Sequence, residues 1–170
     1  MSLVDELKEQ LLSKPDAIIL SVGGGGLLCG IIQGLIQNSW DDIPIVAVET
    51  KGAASFRAVI ESGRWIGIPK VESIAKTLSV KKVARMAHEL AASYPLHSHL
   101  VSDAMAVSAL MKFADDYKVL VEPSCGAALS PVYENDPILK DYKNIVVIAC
   151  GGSGVSIDLI DHWKNELNLL

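Results

Sequence analysis

Four consecutive glycines, Gly23 to Gly26, lie between an apolar run, Ala17 to Leu20, and a second one that begins at Leu27. Without Cβ atoms, such residues take left-handed turns and let a ligand lie against the backbone. Their N–H groups, with those of the next helical turn, converge on one concavity, and the dipole of a following helix favours negative charge there. The chemistry this suits is anion binding, phosphate above all. The plainer reading is a tight strand-to-helix turn without a ligand, for which one or two glycines would suffice. A second glycine turn, Gly151 to Gly154, follows a second strand-like run, Ile145 to Cys150. If the two strands are neighbours, both turns line one pocket and Cys150 lies beside it. A cysteine there is a nucleophile, a partner for a planar ligand, or core. The nucleophile needs a base, and His88, His97, His99 and His162 have no evident link to it. Glu49 ends a strand of its own at the same edge and either holds a ligand or caps the helix that follows it.

The same stretch invites comparison with the dinucleotide fingerprint, G-x-G-x-x-G after a strand with an acidic residue about twenty positions on. Gly24 and Gly26 begin it and Glu49 mimics the ribose acid, but the third glycine position is Cys29, with Gly30 one place late. The match is imperfect.

The elements that position these residues follow from the apolar pattern. Val4 to Leu12 reads as a helix and Ala17 to Val22 as a buried strand; a helix from the glycine loop to about Asn38 and a strand from Ile43 to Glu49 follow. Strand, helix, strand in about thirty residues is a βαβ unit, hence a parallel sheet with a right-handed crossover. A short helix, Ala54 to Ser62, comes next, and residues 74–80 are expected to loop back toward the crevice. Lys82 to Ser93 reads as a helix, Leu100 and Val101 as a short extended piece, and Asp103 to Tyr117 as a helix capped by Ser102. Lys118 to Val121 is expected as a short strand, and Cys125 to Tyr133 as a helix capped by Ser124. Ile145 to Cys150, almost uniformly apolar, reads as a central parallel strand, with a closing helix from Ser156 to about Leu167. The fold class is α/β: a three-layer, open, mostly parallel sheet in one domain over residues 1–170.

Composition excludes several classes. The chain has 170 residues, 50% of them hydrophobic, and a net charge of −5, which is enough to bury a core. No basic block suggests nucleic acid, and the longest apolar runs fall short of a membrane span. Residues 1–14 are polar and amphipathic, unlike a signal peptide. Cys29, Cys125 and Cys150 are an odd number without metal spacing, which suits a reducing compartment; a cytoplasmic protein is expected.

Five stretches together carry a more specific message: SVGGGGLLCG at 21–30, VETKGAASF at 48–56, AKTLSV at 75–80, LVEPSCGAAL at 120–129 and IACGGSG at 148–154. With these, the sequence resembles the serine/threonine dehydratases, pyridoxal-phosphate enzymes of fold type II (the tryptophan synthase β fold), and most of all the L-serine dehydratases. The resemblance runs from Pro15 to the closing helix. It implies that Gly23, Gly24, Gly25, Gly26 and Leu27 bind the cofactor phosphate and that Cys150 faces the pyridine nitrogen. It implies a monovalent cation, usually potassium, at Gly23, Glu49, Ala53, Ser55, Leu78 and Val80, Glu49 by its carboxylate and Ala53, Leu78 and Val80 by backbone carbonyls. The implied activity is conversion of L-serine to pyruvate and ammonia, or of L-threonine to 2-oxobutanoate, by β-elimination.

The departure from the family is as informative. Members are about twice as long in the catalytic part, and the family lysine that joins the cofactor matches none of the twelve lysines here. Lys51, Lys76 and Lys81 lie near site segments but not at that position. No catalytic residue is therefore assigned. The chain is expected to be the later part of the large cofactor domain, without the N-terminal segment or the small domain, and Met1 reads as an in-frame internal methionine. The expectation is a truncated dehydratase, inactive alone. The alternatives are a non-catalytic remnant or one half of a split enzyme that needs an N-terminal partner chain; a homodimer is possible on the same footing.

Overall fold

The computed structural model describes residues 2–169. Its centre is a four-stranded parallel sheet of β1 (Ala17–Ser21), β2 (Ile45–Thr50), β3 (Leu96–Val101) and β4 (Ile145–Val147), in the order β3-β2-β1-β4. Register pairs Ile18 with Ile45 and with Val146, and Val46 with His97. Before the sheet begins, the Asp16 carboxylate accepts the Lys143 and Asn144 N–H groups, each at 2.8 Å, which fixes how β4 meets β1.

Every residue of β1 and β2 is buried, as strands covered on both faces must be. Alternation divides their side chains between two layers. Ile18, Leu20, Ile45 and Ala47 pack with α1 (Ser2–Gln10), α2 (Gly26–Gln37), α3 (Ser55–Ser62) and α4 (Arg85–Ala91) through Val4, Leu28, Ile32, Phe56 and Ala87. Ile19, Val46 and Val48 pack on the other face with α5 (Asp103–Tyr117) and α6 (Pro123–Tyr133) through Ala106, Ala127 and Ala128. The small residues of α6 let two helices nearly touch: a Cβ on Gly126 would lie 2.0 Å from the Ala106 carbonyl oxygen. α7 (Ile157–Glu166) closes the chain over a third cluster that includes Leu110, Val121, Leu129 and Trp163. The three-layer parallel α/β architecture is the one the apolar pattern implies.

Four local expectations are corrected. Lys118 to Val121 is not a strand: Lys118 ends α5 in the left-handed region at φ 58°, and the segment is held beside Gly151 by the Glu122 N–H rather than by a ladder. Ser124 does not cap α6; Pro123 opens that helix after Glu122, so Ser124 lies inside its first turn with its hydroxyl turned to Thr77. The extended piece at Leu100 and Val101 is the end of a six-residue edge strand, β3. The run Ile145 to Cys150 forms only three residues of ladder, half-buried and at the sheet's edge. Its apolar sequence is that of a strand flanked on both sides, but among the described residues only β1 pairs with it. An open cavity of about 650 Å³ lies along that edge, walled by Phe113, Tyr117, Val132, Tyr133 and Val147.

Candidate functional site

The carboxyl end of β1 and the segment that follows β4 meet at one crevice, where open parallel sheets place their ligands. β1 leads through Val22 into the glycine loop, and α2 starts at Gly26 behind an N-cap residue, Gly25, with φ 88°. α2 has no charged residue, so its N-terminal N–H groups meet no acidic side chain in the first turn. The four glycines are not equivalent. A Cβ on Gly23 would strike the Thr77 carbonyl oxygen at 2.7 Å, and one on Gly25 would strike the Ala87 Cβ at 2.8 Å. A Cβ on Gly24 or Gly26 would meet nothing within 4 Å. Protein therefore braces the loop at alternate positions, and the intervening ones face open space. A third brace is the Ala84 N–H, which donates to the Gly24 carbonyl at 2.9 Å.

The open side is a cavity of about 230 Å³, lined by residues 21–28 together with Thr77, Leu78, Ser124 and Cys150. β1 and β4 are neighbours, as the two-turn reading requires. Of the second turn, however, Cys150 lines the cavity and Gly151 to Gly154 do not. Gly152 serves packing instead, since a Cβ there would lie 2.1 Å from the Leu120 carbonyl oxygen. The loop at 74–80 does turn back to the crevice, as a short 3-10 turn at Lys76–Leu78.

Cys150 lies 3.4 Å from the Cys125 sulfur and 3.9 Å from the Ser21 hydroxyl. The bond from Cys125 and that from Ser21 favour the Cys150 thiolate and hold its pKa below the ordinary thiol range, against the opposing effect of partial burial. The same sulfur–sulfur bond, with desolvation, pushes the Cys125 thiol up. The charge belongs on the better-hydrated sulfur, which is Cys150: its residue is exposed, whereas Cys125 is 1% exposed.

Thr77, Glu122, Ser124 and Cys125 lie in the five family-like stretches, yet their residue types and spacing give no sign of a role at the site. Glu122 accepts from the Thr77 hydroxyl at 3.0 Å and from the Gly154 N–H at 2.9 Å. It thereby ties the 3-10 turn to the second glycine turn, and Thr77 also bonds Ser124. The signal was a charged residue directly before the Pro-Ser-Cys start of a helix, which sequence alone does not distinguish from a surface acid.

Glu49 stands apart from the cavity lining. It is fully buried, and its two oxygens accept the Phe56 and Arg57 N–H groups, both at 2.7 Å. Glu49 is thus the helix cap that the residues left open as one alternative, supplied to α3 from β2. Burial pushes its carboxyl up to about 7, against the pull of those two N–H groups. Beside it, the Ser55 hydroxyl is buried without a hydrogen-bond partner. Ala53 and Leu78 share one packed cluster, Gly23 abuts the Thr77–Leu78 backbone, and Val80 follows half-buried. Among the described residues, no group of three or more histidine, cysteine or acidic side chains could hold a metal ion. Among the described residues, no helix is long and apolar enough to cross a membrane.

Against known proteins, the sequence pattern of a family described as "Pyridoxal-phosphate dependent enzyme" matches residues 1–151. The chain belongs to that family. It is 48% identical over 176 aligned residues to the mouse L-serine dehydratase/L-threonine deaminase, covering 99% of this chain and 54% of that protein. It superposes on a fungal L-serine ammonia-lyase from Rhizomucor miehei with a TM-score of 0.94 and 42% identity, over 97% of this chain and 54% of the other. The processed threonine deaminase isoform 2 of Solanum lycopersicum follows at a TM-score of 0.86 and 25% identity, over 99% of this chain and 48% of that one. The chain spans about half the length of the curated relatives it matches. The family's cofactor fits the crevice: an open, glycine-lined helix N-terminus suits its phosphate, and a thiol stands across the cavity from it.

Proposed function

We propose that this chain forms the phosphate-holding part of the pyridoxal 5'-phosphate site of an L-serine/L-threonine dehydratase and does not catalyse alone. The observation that carries this reading is the pair Gly24 and Gly26, whose missing Cβ atoms the protein's own packing does not require. In this reading Gly23 to Gly26 and Leu27 offer backbone N–H groups to the phosphate at the start of α2. Cys150, oriented by Cys125 and Ser21, lies against the pyridine nitrogen. The Thr77–Glu122–Gly154 bonds hold the cavity wall in place. When bound, the cofactor supplies the electron sink for β-elimination of water from L-serine or L-threonine. The protein's share is orientation and electrostatics.

The orphaned Ser55 hydroxyl and the buried Glu49 carboxylate support a potassium site shared with the carbonyls of Ala53, Leu78 and Val80, with Gly23 at the same site. A hard monovalent cation takes oxygen ligands of this kind. It would add to the positive charge that Arg57 alone now brings to Glu49, and give Ser55 a partner.

No lysine lines the cavity. The lysine that joins the cofactor therefore comes from sequence outside these 170 residues or from an N-terminal partner chain. A non-catalytic remnant is the second reading, favoured by that same observation. The three free cysteines agree with a cytoplasmic setting.

The test is an absorbance titration of the purified chain with pyridoxal 5'-phosphate, followed by borohydride reduction and peptide mapping, with inorganic phosphate as competitor. The expected result is binding that phosphate competes for, with no single lysine labelled and no pyruvate released from L-serine. Stoichiometric labelling of one lysine, or turnover by the chain alone, overturns the half-site reading. Absence of any phosphate-competed binding overturns the cradle.

A further inference from the structure

Among the nucleophilic groups of this chain, two lie together: Cys125 and Cys150, with sulfurs 3.4 Å apart. They approach from independent directions. Cys150 follows the end of β4 and faces the cavity, and Cys125 lies in the first turn of α6 beneath it. Cys125 is also held on its far side, where the Gly151 N–H donates to its sulfur at 3.2 Å. The pair is therefore one exposed sulfur backed by one buried sulfur, both fixed in place. Cys29, the third cysteine, is buried in α2 and belongs to the opposite layer of the fold.

We propose that Cys125 and Cys150 form a peroxide-sensitive dithiol, in which Cys150 is oxidised first and Cys125 resolves it to a disulfide at the cavity wall. The oxidant is a hydroperoxide. The Cys150 sulfur attacks the terminal peroxide oxygen; an S–O bond forms, the O–O bond breaks, and the alcohol or water leaves with the thiol's proton. Sulfur loses two electrons and the peroxide gains them. The Cys125 sulfur then attacks the Cys150 sulfenic acid; an S–S bond forms, the S–O bond breaks, and water leaves with the Cys125 proton. The sum is two thiols and one hydroperoxide giving one disulfide, one alcohol or water, and one water.

Three features favour this sequence over deeper oxidation of Cys150. The resolving sulfur already touches the oxidised one, so closure needs an approach of only about 1.4 Å. The exposed member carries the greater thiolate character and the buried member the lesser, the arrangement of an attacking and a resolving thiol. The Gly151 N–H, 3.2 Å from the Cys125 sulfur, also holds the resolving sulfur at that approach, while the Glu122 carboxylate at the start of α6 opposes negative charge on Cys150. Closure draws Cys150 toward Cys125 and away from Ser21, so oxidation reshapes the wall of the cavity. The inference concerns the two thiols themselves and holds whether or not the chain binds a cofactor.

The test uses the whole chain and hydrogen peroxide. After graded exposure, free thiols are alkylated, and the protein is digested without reductant and mapped by mass spectrometry. The expected product is a peptide pair joined through Cys125 and Cys150, reversed by dithiothreitol, with Cys29 alkylated as in the untreated protein. In Cys125→Ser, the Cys150 sulfenic acid persists and is captured by dimedone, at least tenfold more than in the wild type. In Cys150→Ser, Cys125 remains a thiol at the same peroxide dose. Circular dichroism checks that each variant folds, and the wild-type map decides the matter if one does not. Conversion of Cys150 to sulfinic acid while Cys125 stays free overturns the proposal, as does a disulfide that includes Cys29.

Discussion

Replacing each loop glycine by alanine separates the ligand's demands from the protein's. Gly26 is the first residue of α2, its Cβ would meet nothing within 4 Å, and alanine suits a helix better than glycine does. Gly26→Ala should leave the fold as stable as before or more stable, by up to about 1 kcal/mol. The new methyl group would stand where a phosphate oxygen meets the loop. Losing one charge-assisted hydrogen bond costs about 1.5–3 kcal/mol, which is roughly a 10- to 100-fold loss of affinity. Gly24→Ala should behave in the same way. Gly25→Ala should do the reverse of neutral to the fold: the residue has φ 88°, and its Cβ would lie 2.8 Å from that of Ala87. The left-handed conformation alone costs about 1–2 kcal/mol for an alanine, and the collision adds to it. In a chain of this size that lowers the melting temperature by roughly 5 °C. Urea denaturation gives the stabilities, and titration with pyridoxal 5'-phosphate gives the affinities. Unchanged affinity in both Gly24→Ala and Gly26→Ala would refute the cradle. A large loss of stability in either would mean that the glycines answer to packing after all.

Four other outcomes are expected. The folded pKa of Glu49, about 7, lies above its unfolded value of 4.5, so the wild type is favoured at acid pH and loses stability as pH rises through 7. Measured in tetramethylammonium buffer, the stability of the wild type relative to Glu49→Gln should fall by roughly 3 kcal/mol between pH 4.5 and pH 8; a constant difference contradicts it. Exchanging tetramethylammonium for potassium should raise the wild-type melting temperature at pH 8, where Glu49 is charged, and not at pH 5. Gly126→Ala forces α5 and α6 apart at the Ala106 carbonyl and should cost about 1–3 kcal/mol in urea denaturation, with helical circular dichroism retained at low temperature. Ser102→Ala removes the hydroxyl that accepts the Met105 N–H at 3.1 Å and should cost about 1 kcal/mol by the same measurement.

The parts of the fold that were legible in the sequence are those with dense local signals. Apolar β1 and β2, the glycines after β1, and the serine before α5 each specify their element within a few residues. β4 was misjudged because its apolar run reports two-sided burial, whereas three residues of it pair and they do so at an edge. Lys118 to Val121 was misjudged because β-forming residues say nothing of whether a partner strand is within reach. At the site, the glycine loop and Cys150 were visible as residue types in a pattern. Cys125, Thr77 and Glu122 were not, because their importance lies in contacts across 25 to 45 positions of chain. Glu49 was visible as a charge at a strand end, but whether it caps or binds depends on where α3 points.

The bracing of the glycine loop has a kinetic consequence. Thr77, Ala84 and Ala87 hold the backbone from behind, so the loop needs no rearrangement to receive an anion. Little conformational entropy is left for the ligand to remove, and the ordering cost was met when the chain folded. Association should then be governed by encounter rather than by a slow isomerisation, and relaxation after mixing should follow one exponential whose rate rises linearly with ligand concentration. Loosening the brace from outside the cavity, at Ala87 for example, would add that isomerisation and slow association without touching a single group that meets the ligand.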